Sequence, residues 1–164
     1  IKIRDTESHI TEEGLNSTST NLLPPKSVLV TSRATIGECA VNTVEMATNQ
    51  GFQSLVPGES VDTWYLYYRM QEEANYLNSL GSGSTFSEVS NTTVQRVKIP
   101  IPPIGEQGQI ADILKSIDEA RIQEEEYKTQ LQQLKQGLMK DLLSGTVRTA
   151  DADVEIPDEI EQYG

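Results

Sequence analysis

The single histidine and the single cysteine of this sequence are residue types that often act in catalysis, and neither stands in a catalytic pattern. His9 is the only histidine, and the sequence around it shows no Asp-His-Ser spacing and no cluster of metal-ligating residues. Cys39 falls in a strand-like apolar stretch, where a buried thiol is unreactive. Residues 81–84, GSGS, resemble a phosphate loop only superficially, because no Gly-Lys-Ser or Gly-Lys-Thr follows. The sequence therefore predicts no catalytic residue, no metal site and no cofactor in this chain.

The net charge of −12 argues by itself against nucleic-acid binding, because affinity for phosphate comes mostly from lysine and arginine. The charge is unevenly spread, with a net −4 on residues 1–104, −2 on residues 105–149 and −6 on residues 150–164. The like charges and scarce core-forming residues of the last segment predict a disordered tail. A halophilic surface and a DNA-mimicking autoinhibitor are the alternative interpretations of that tail.

The single cysteine excludes an internal disulfide and fits a reducing compartment. No apolar run approaches the roughly 20 residues that a membrane-spanning helix needs. We therefore expect a cytoplasmic protein. Because the sequence opens on Ile1 in strand-like residues, we also expect a later part of a longer polypeptide, whose head lacks its first strands.

The elements that must position functional side chains begin with short strands. Apolar residues 28–30 and 39–41, separated by the polar loop 31–35 and Gly37, predict a β-hairpin, and residues 51–57 predict a further strand. Asp62 stands where a helix N-cap is expected. Apolar residues at helical spacing from Trp64 to Leu80 predict one helix that packs on the sheet, and the alternation in residues 97–101 predicts a last strand.

A long helix follows a hinge made by Pro100, Pro102 and Pro103, which fix φ and remove three backbone donors. Residues 105–143 contain no proline, and Gly145 stands where a helix stop is expected. A helix over residues 106–143 would be about 57 Å long. With Ile110 as position a of a heptad, the a and d positions read Ile110, Ile113, Ile117, Ala120, Glu124, Tyr127, Leu131, Leu134 and Leu138. Such a seam needs a helical partner, and Glu124 either fixes register with a basic residue of that partner or is solvated.

The fold class that follows is α+β, with a mixed α/β head and a long coiled-coil-forming helix. We predict a head at residues 1–104, a helical arm for spacing and dimerisation at residues 105–145, and the acidic tail at residues 146–164.

Four strings resemble, in order and spacing, the DNA specificity subunits of type I restriction-modification systems. They are LPPKSVLVTSRATIGECAV, ATNQGFQSLVP, GSGSTFSEVSNTTVQRVKIPIPPIGEQGQIADIL and LQQLKQGLMKDLLSGTV. They match the Ser-Arg loop, the Asn-Gln-Gly step, the Gly-Ser-Thr loop and the Pro-Pro-x-x-Glu-Gln helix entry that mark the second half of a target recognition domain and its spacer helix. The resemblance covers about residues 10 to 148. Residues 86–90, FSEVS, depart from the usual family pattern, so a base preference is not carried over.

The resemblance implies a non-catalytic, sequence-specific reader that directs a type I restriction-modification complex to a bipartite site on double-stranded DNA. It implies that the spacer helix pairs with a second spacer helix, in cis or in a homodimer. Methyltransferase subunits would dock on the assembly and connect it to the restriction subunit. Methylation and cleavage would reside in those partners, with S-adenosylmethionine, ATP and Mg²⁺ bound there and not in this chain.

Base readout needs hydrogen-bonding groups on loops that enter the major groove, and the loops at residues 31–35 and 81–86 supply them. We expect DNA contacts from Ser32, Arg33, Thr35, Asn49, Gln50, Ser84 and Thr85. Arg33 is the first choice, because a guanidinium binds guanine in a bidentate way or clamps a phosphate. The alternatives are a solvated loop charge for Arg33, a turn for residues 49–50 and a flexible surface loop for residues 84–85. Candidates for phosphate alone, each with an ordinary surface charge as the alternative, are Lys26, Arg69, Arg96 and Lys98.

Helix pairing is expected from Ile110, Ile113, Ile117, Tyr127, Leu131, Leu134 and Leu138. The competing interpretation of the whole chain is a coiled-coil oligomerisation and protein-interaction module that binds no DNA. Salt-sensitive binding to duplex DNA discriminates between the two, because the competing interpretation predicts none.

Overall fold

A computed structural model gives the fold of residues 2–81 and 88–148. The chain divides into two compact units, Ile1–Lys115 and Ser116–Gly164. The predicted division into head, arm and tail stays a prediction, and the acidic residues 149–164 lie outside the described residues.

The first unit is built on a sheet that, within the described residues, has four strands in the order β1-β3-β2-β4. The strands are β1 (Lys2–Ile3), β2 (Val28–Thr31), β3 (Cys39–Asn42) and β4 (Phe52–Leu55). β2 pairs antiparallel with β3 and with β4, placing Thr31 opposite Phe52, while β1 pairs parallel with β3. The predicted hairpin and the predicted third strand are therefore confirmed.

The described helices are α1 (Glu12–Ser17), α2 (Thr63–Glu72), α3 (Ala74–Gly81), α4 (Asn91–Val94) and α5 (Ile104–Leu143). The predicted N-cap of α2 is confirmed, because the Asp62 carboxylate accepts hydrogen bonds from the backbone N–H groups of Trp64 and Tyr65, both at 2.9 Å. The prediction of a helix up to Leu143 is also confirmed, with α5 beginning two residues before the expected start at Glu106.

The single helix predicted from Trp64 to Leu80 is two helices. α2 ends at Glu72 and α3 begins at Ala74. The break coincides with a tertiary contact, because the β2–β3 loop approaches the chain here. A Cβ added to residue 37 would lie 2.6 Å from the Ala74 Cα. Gly37 has a φ of +93°, which glycine adopts without strain. Leu77 of α3 is fully buried, but Leu80 is exposed and does not pack on the sheet as predicted.

The strand predicted at residues 97–101 is wrong. Residues 97–103, all of them described, form no strand. Prolines 100, 102 and 103 have no N–H to donate to a ladder. Val97 and Ile99 nevertheless pack against the core, whereas Ile101 is exposed. The alternation of apolar residues therefore reflects packing of an irregular segment and not strand pairing.

The core of the first unit lies between the sheet and the helices. Its buried apolar residues are Val28, Val30, Ile36, Val41, Leu66, Tyr67, Met70, Leu77, Val89 and Val94. Beside it, the Nζ atoms of Lys2 and Lys115 lie 5.4 Å and 5.2 Å from the ring centroid of Trp64. Each distance is within the range of a cation–π contact, so these contacts connect β1 and the first part of α5 to α2.

The second unit, in its described part, consists of α5 from Ser116 onward and the turn that ends it. The predicted stop is confirmed: Gly145 has a φ of +73°, and the Val147 N–H donates to the Asp141 carbonyl at 3.1 Å. Lys128 pairs with Glu125 on the helix surface at 3.1 Å, a contact worth about 0.2–0.5 kcal/mol.

Candidate nucleic-acid interface

The loop between β2 and β3, residues 32–38, is held closed by its own hydrogen bonds. The Thr31 hydroxyl donates to the Thr35 carbonyl and accepts from the Glu38 N–H, and the Thr31 and Gly37 N–H groups donate to the Glu38 and Thr31 carbonyls. Ala34 has a φ of +56°, which lets the chain turn tightly. Arg33 and Thr35, both predicted DNA contacts, are exposed on this closed loop.

Ser32 connects this loop to two distant segments. Its N–H donates to the Gly51 carbonyl at 2.8 Å, and its carbonyl accepts from the Val89 N–H at 2.9 Å. Its side chain is buried, and the hydroxyl donates to the Gln50 carbonyl at 3.5 Å. Ser32 thus positions the loop, and a direct contact of its side chain with DNA stays a prediction.

Asn49 and Gln50 form the turn before β4, as the alternative interpretation expected, and both remain exposed. The Asn49 Oδ1 accepts from the Gly51 N–H at 2.8 Å, which closes the turn. Because β2 and β4 are antiparallel, the turn lies at the same end of the sheet as the β2–β3 loop. The structure therefore brings Ser32, Arg33, Asn49 and Gln50 together from positions that are separated in sequence.

Arg33 forms an ion pair with Glu88 across this end of the sheet. Its Nη2 lies 2.9 Å from the Glu88 Oε1, and the two residues are also partners in an antiparallel β-bridge. Their side chains are 44% and 42% exposed, so water and ligands reach both. A pair this exposed contributes about 0–1 kcal/mol to stability, which leaves both groups available for other partners.

Three polar residues at this site were missed by sequence reasoning: Glu88, Gln53 and Asn91. The Gln53 Nε2 donates to the Val89 carbonyl at 3.4 Å, and the Asn91 Nδ2 donates to the Gln53 Oε1 at 3.1 Å. Glu88 is the only acidic residue in the hydroxyl-rich stretch of residues 81–93. This isolated charge is the feature of the sequence that could have marked Glu88 as a candidate site residue.

The remaining predicted DNA contacts differ in their exposure and in whether their charge is already paired. Ser84 and Thr85 lie outside the described residues. Arg69 is partly buried and pairs at 2.8 Å with Glu73, the C-cap residue of α2, so its charge is already matched. The other phosphate candidates, Lys26, Arg96 and Lys98, are exposed.

Gln107 of α5 is a further residue that the sequence did not single out. It is fully buried, and its Oε1 accepts from the Asp62 N–H at 2.9 Å. Its Nε2 donates to the carbonyls of Ser60 at 2.9 Å and Pro102 at 2.7 Å. These bonds fix the start of α5 to the N-terminus of α2 within the first unit.

Most of the predicted pairing residues of α5 are exposed within the unit to which each belongs. In the first unit Ile113 is exposed and Ile110 is partly buried. The second unit exposes Ile117, Tyr127, Leu134 and Leu138, with Leu131 partly buried. Exposed apolar side chains in such a row are typical of an interaction surface.

The possible catalytic groups have ordinary surroundings. Burial raises the pKa of the Cys39 thiol to about 12, so it carries almost no thiolate near neutral pH. His9 lies 2.8 Å from Asp5 on the surface, and hydrogen bonding to His9 lowers the pKa of Asp5. Among residues 2–81 and 88–148, no three His, Cys, Asp or Glu side chains are grouped as metal ligands. In the same part of the chain, no helix combines the length and the apolar character needed to cross a membrane.

Comparison with known families gives a match over most of the chain. The model of the type I restriction modification DNA specificity domain matches residues 1–136. The type I restriction enzyme MjaIX specificity subunit of Methanocaldococcus jannaschii is 37% identical over 121 residues, which cover 73% of this chain and 28% of that protein. The EcoR124I/EcoR124II specificity subunit of Escherichia coli is 26% identical over 122 residues, covering 71% of this chain and 30% of that protein. The chain thus spans less than a third of the length of these relatives.

Solved structures agree with the fold. A chain from a study of complex assembly and conformational transition in the type I R-M system superposes with a TM-score of 0.61 at 26% identity, covering 76% of this chain and 32% of that one. The crystal structure of the HsdS subunit from Thermoanaerobacter tengcongensis superposes with a TM-score of 0.57 at 22% identity, covering 73% and 30%. The predicted α+β class, a mixed head with a long helix, is confirmed.

Proposed function

The chain belongs to the family of type I restriction-modification DNA specificity domains, and we propose that it reads one part of a bipartite DNA target and directs a restriction-modification complex to it. In this proposal the chain is not an enzyme. It supplies sequence recognition, and the reactions take place on partner subunits.

The observation that carries this proposal is the convergence of exposed polar side chains at one end of the sheet. The closed loop presents Arg33 and Thr35, and the neighbouring turn presents Asn49 and Gln50. Guanidinium and amide groups are those that recognise guanine and adenine in the major groove. Because Ser32 joins both segments by backbone hydrogen bonds, these side chains are mounted on a fixed frame.

The negative charge of the chain limits how strongly it binds DNA by itself. Exposed Lys26, Arg96 and Lys98 are the phosphate contacts that we propose, whereas Arg69 is a weaker candidate because Glu73 already pairs with it. Ser84 and Thr85 remain proposed contacts. Specificity in this arrangement comes from base contacts, with few phosphate contacts to support them.

We propose that α5 pairs with a second spacer helix, in cis or in a homodimer, through its row of apolar a and d positions. Burial of these exposed side chains supplies the driving force for pairing. Two heads related by a two-fold axis would see the same half-site on opposite strands, so a homodimer would read an interrupted palindrome.

The partners that follow are methyltransferase subunits and, through them, the restriction subunit, in a cytoplasmic complex. S-adenosylmethionine, ATP and Mg²⁺ would be bound by those subunits.

The test of DNA binding is fluorescence anisotropy of the 164-residue chain with labelled duplex DNA over a range of salt concentrations. We expect binding that weakens as salt rises, and a smaller affinity for the Arg33→Ala variant. The Arg121→Ala variant is the matched control, because it removes the same charge from an exposed position on α5. Absence of salt-dependent binding would favour the protein-interaction module instead.

The role of α5 as a spacer has its own test. Deletion of one heptad within residues 119–135 keeps the seam in register and shortens the helix by about 10 Å, or about three base pairs. We expect the preferred gap between half-sites to shrink accordingly. A gap that stays constant would show that α5 does not set the spacing.

A further inference from the structure

The Arg33–Glu88 ion pair places a donor and an acceptor side by side at the proposed DNA-reading end of the sheet, with 2.9 Å between Nη2 and Oε1. We propose that this pair reads one G·C base pair in the major groove, with Arg33 on guanine and Glu88 on the cytosine of the same pair. The inference rests on the proposed function and adds to it the base pair that is read and a second residue that reads it.

The hydrogen-bonding groups of the two side chains match those of a G·C pair. Guanine presents the acceptors N7 and O6 in the major groove, and cytosine presents the N4 amino donor. The guanidinium keeps further N–H donors beyond the one directed at Glu88, enough for a bidentate contact with guanine. The carboxylate is an acceptor only, and it suits the cytosine amino group.

The spacing also matches. The O6 and N4 atoms of a Watson–Crick G·C pair are joined by an N–H···O hydrogen bond, so they lie about 2.9 Å apart. The Arg33 Nη2 and the Glu88 Oε1 have the same separation. The two side chains can therefore approach O6 and N4 together without breaking their own ion pair. An A·T pair presents the reverse polarity, with an amino donor facing the guanidinium and a carbonyl oxygen facing the carboxylate.

Glu88 also bears on whether Arg33 contacts a guanine base or a phosphate group, the two roles that a guanidinium can have on DNA. A phosphate that approached Arg33 would meet the negative charge of Glu88, and like charges at this distance repel. A base edge carries no net charge and offers a donor to the carboxylate. The pair therefore favours base contact over phosphate contact.

The backbone gives the pair a defined orientation. Residues 33 and 88 are partners in an antiparallel bridge, and the Val89 N–H donates to the Ser32 carbonyl at 2.9 Å. The Ser32 side chain is buried beside this bridge, and its hydroxyl donates to the Gln50 carbonyl. The two reading groups thus start from adjacent points on a frame that the fold holds in place.

The experiment selects binding sites from a pool of randomised duplexes with the 164-residue chain and with three variants. We expect the unmodified chain to enrich a G·C pair at a defined position and Arg33→Ala to lose that preference. Glu88→Gln should weaken the preference for G·C without abolishing it, because Arg33 still contacts guanine. Glu45→Gln is the matched control. It removes the same charge from an exposed residue that follows β3 at the opposite end of the sheet, and it should leave the selection unchanged.

Modified bases in the selected duplex separate the two contacts. Replacing the guanine by 7-deazaguanine should weaken binding about 10-fold, and it should have no further effect on Arg33→Ala. Replacing the cytosine by N4-methylcytosine should weaken binding of the unmodified chain and affect Glu88→Gln less. Circular dichroism of each variant checks that the fold is retained. Arg33→Lys is a second variant at this position that keeps the positive charge.

If the chain binds duplex DNA with a sequence preference and Glu88→Gln does not alter that preference, this inference is overturned and the proposed function stands. The inference is also overturned, and the proposed function stands, if the selected sites contain no G·C pair whose enrichment depends on Arg33. Absence of duplex binding by the unmodified chain would overturn both.

Discussion

Gln107 and Asp62 join the starts of two helices. The Gln107 side-chain carbonyl accepts a hydrogen bond from the Asp62 N–H at 2.9 Å, while the Asp62 carboxylate caps α2. Gln107 uses its amide group to bond Ser60 and Pro102 as well. One buried side chain therefore connects the α2 cap, the preceding loop and the proline segment that leads into α5.

We expect Gln107→Ala to lower the free energy of unfolding by about 1–3 kcal/mol, because it leaves a partly buried N–H and two carbonyls without their partner. Gln109→Ala, an exposed position on the same helix, is the control and should change stability by less than about 0.5 kcal/mol. Chemical denaturation followed by circular dichroism measures both. Equal effects from the two substitutions would mean that the buried bonds do not stabilise the fold.

Gly37 offers a test of the loop that carries Arg33. A Cβ there would lie 2.6 Å from Ala74, and the φ of +93° disfavours any other residue. We expect Gly37→Ala to destabilise the chain by about 2 kcal/mol or more and to lower its affinity for DNA. The control is Gly58→Ala, where an added Cβ has nothing within 4 Å. If thermal unfolding of both variants matches that of the unmodified chain, the close approach is not required.

The raised pKa of Cys39 predicts a pH dependence of stability. Its thiol has a pKa of about 12 in the folded chain against 9.0 for an ordinary thiol, so the unfolded state loses its proton first as pH rises. The contribution is fully present below about pH 9 and falls by about 1.4 kcal/mol per pH unit between about pH 9 and 12. The measurement is the difference in unfolding free energy between the unmodified chain and Cys39→Ala as pH rises. A constant difference would contradict the burial of the thiol.

The apolar surface of α5 should make the isolated chain associate. Leu134→Asp places an unpaired charge in the proposed helix pair and should cost about 2–4 kcal/mol of association free energy. Gln133→Asp adds the same charge at a position outside the a and d seam, so it should leave association nearly intact. Sedimentation measures the oligomeric state. A chain that is monomeric before substitution would show that the seam serves another partner.

Local signals predicted much of the fold. The apolar runs and the loop between them correctly predicted the β2–β3 hairpin. Asp62 predicted the cap of α2, and Gly145 predicted the end of α5. Residues 97–101 were wrongly predicted to form a strand, because side chains that pack on a core can alternate whether or not the backbone pairs.

The site was harder to predict because its contacts are not local. Arg33 was identified by its residue type, but its partner Glu88 lies 55 residues away, and no spacing rule connects them. The burial of Gln107 depends on the loop at Ser60, which only the folded chain brings near. The break between α2 and α3 likewise coincides with a close approach of Gly37 to Ala74, which only the folded chain brings together.

The central claim is that this chain reads DNA sequence through Arg33 and its neighbours. The direct measurement is competition, in which labelled selected duplex is displaced by unlabelled duplex of the same or of shuffled sequence. We predict that the selected sequence competes at least about 10³-fold better than the shuffled one for the unmodified chain and for Arg121→Ala, and that the ratio falls by about 10-fold or more for Arg33→Ala. Equal competition by the two sequences, or the same ratio with and without Arg33, would contradict the claim.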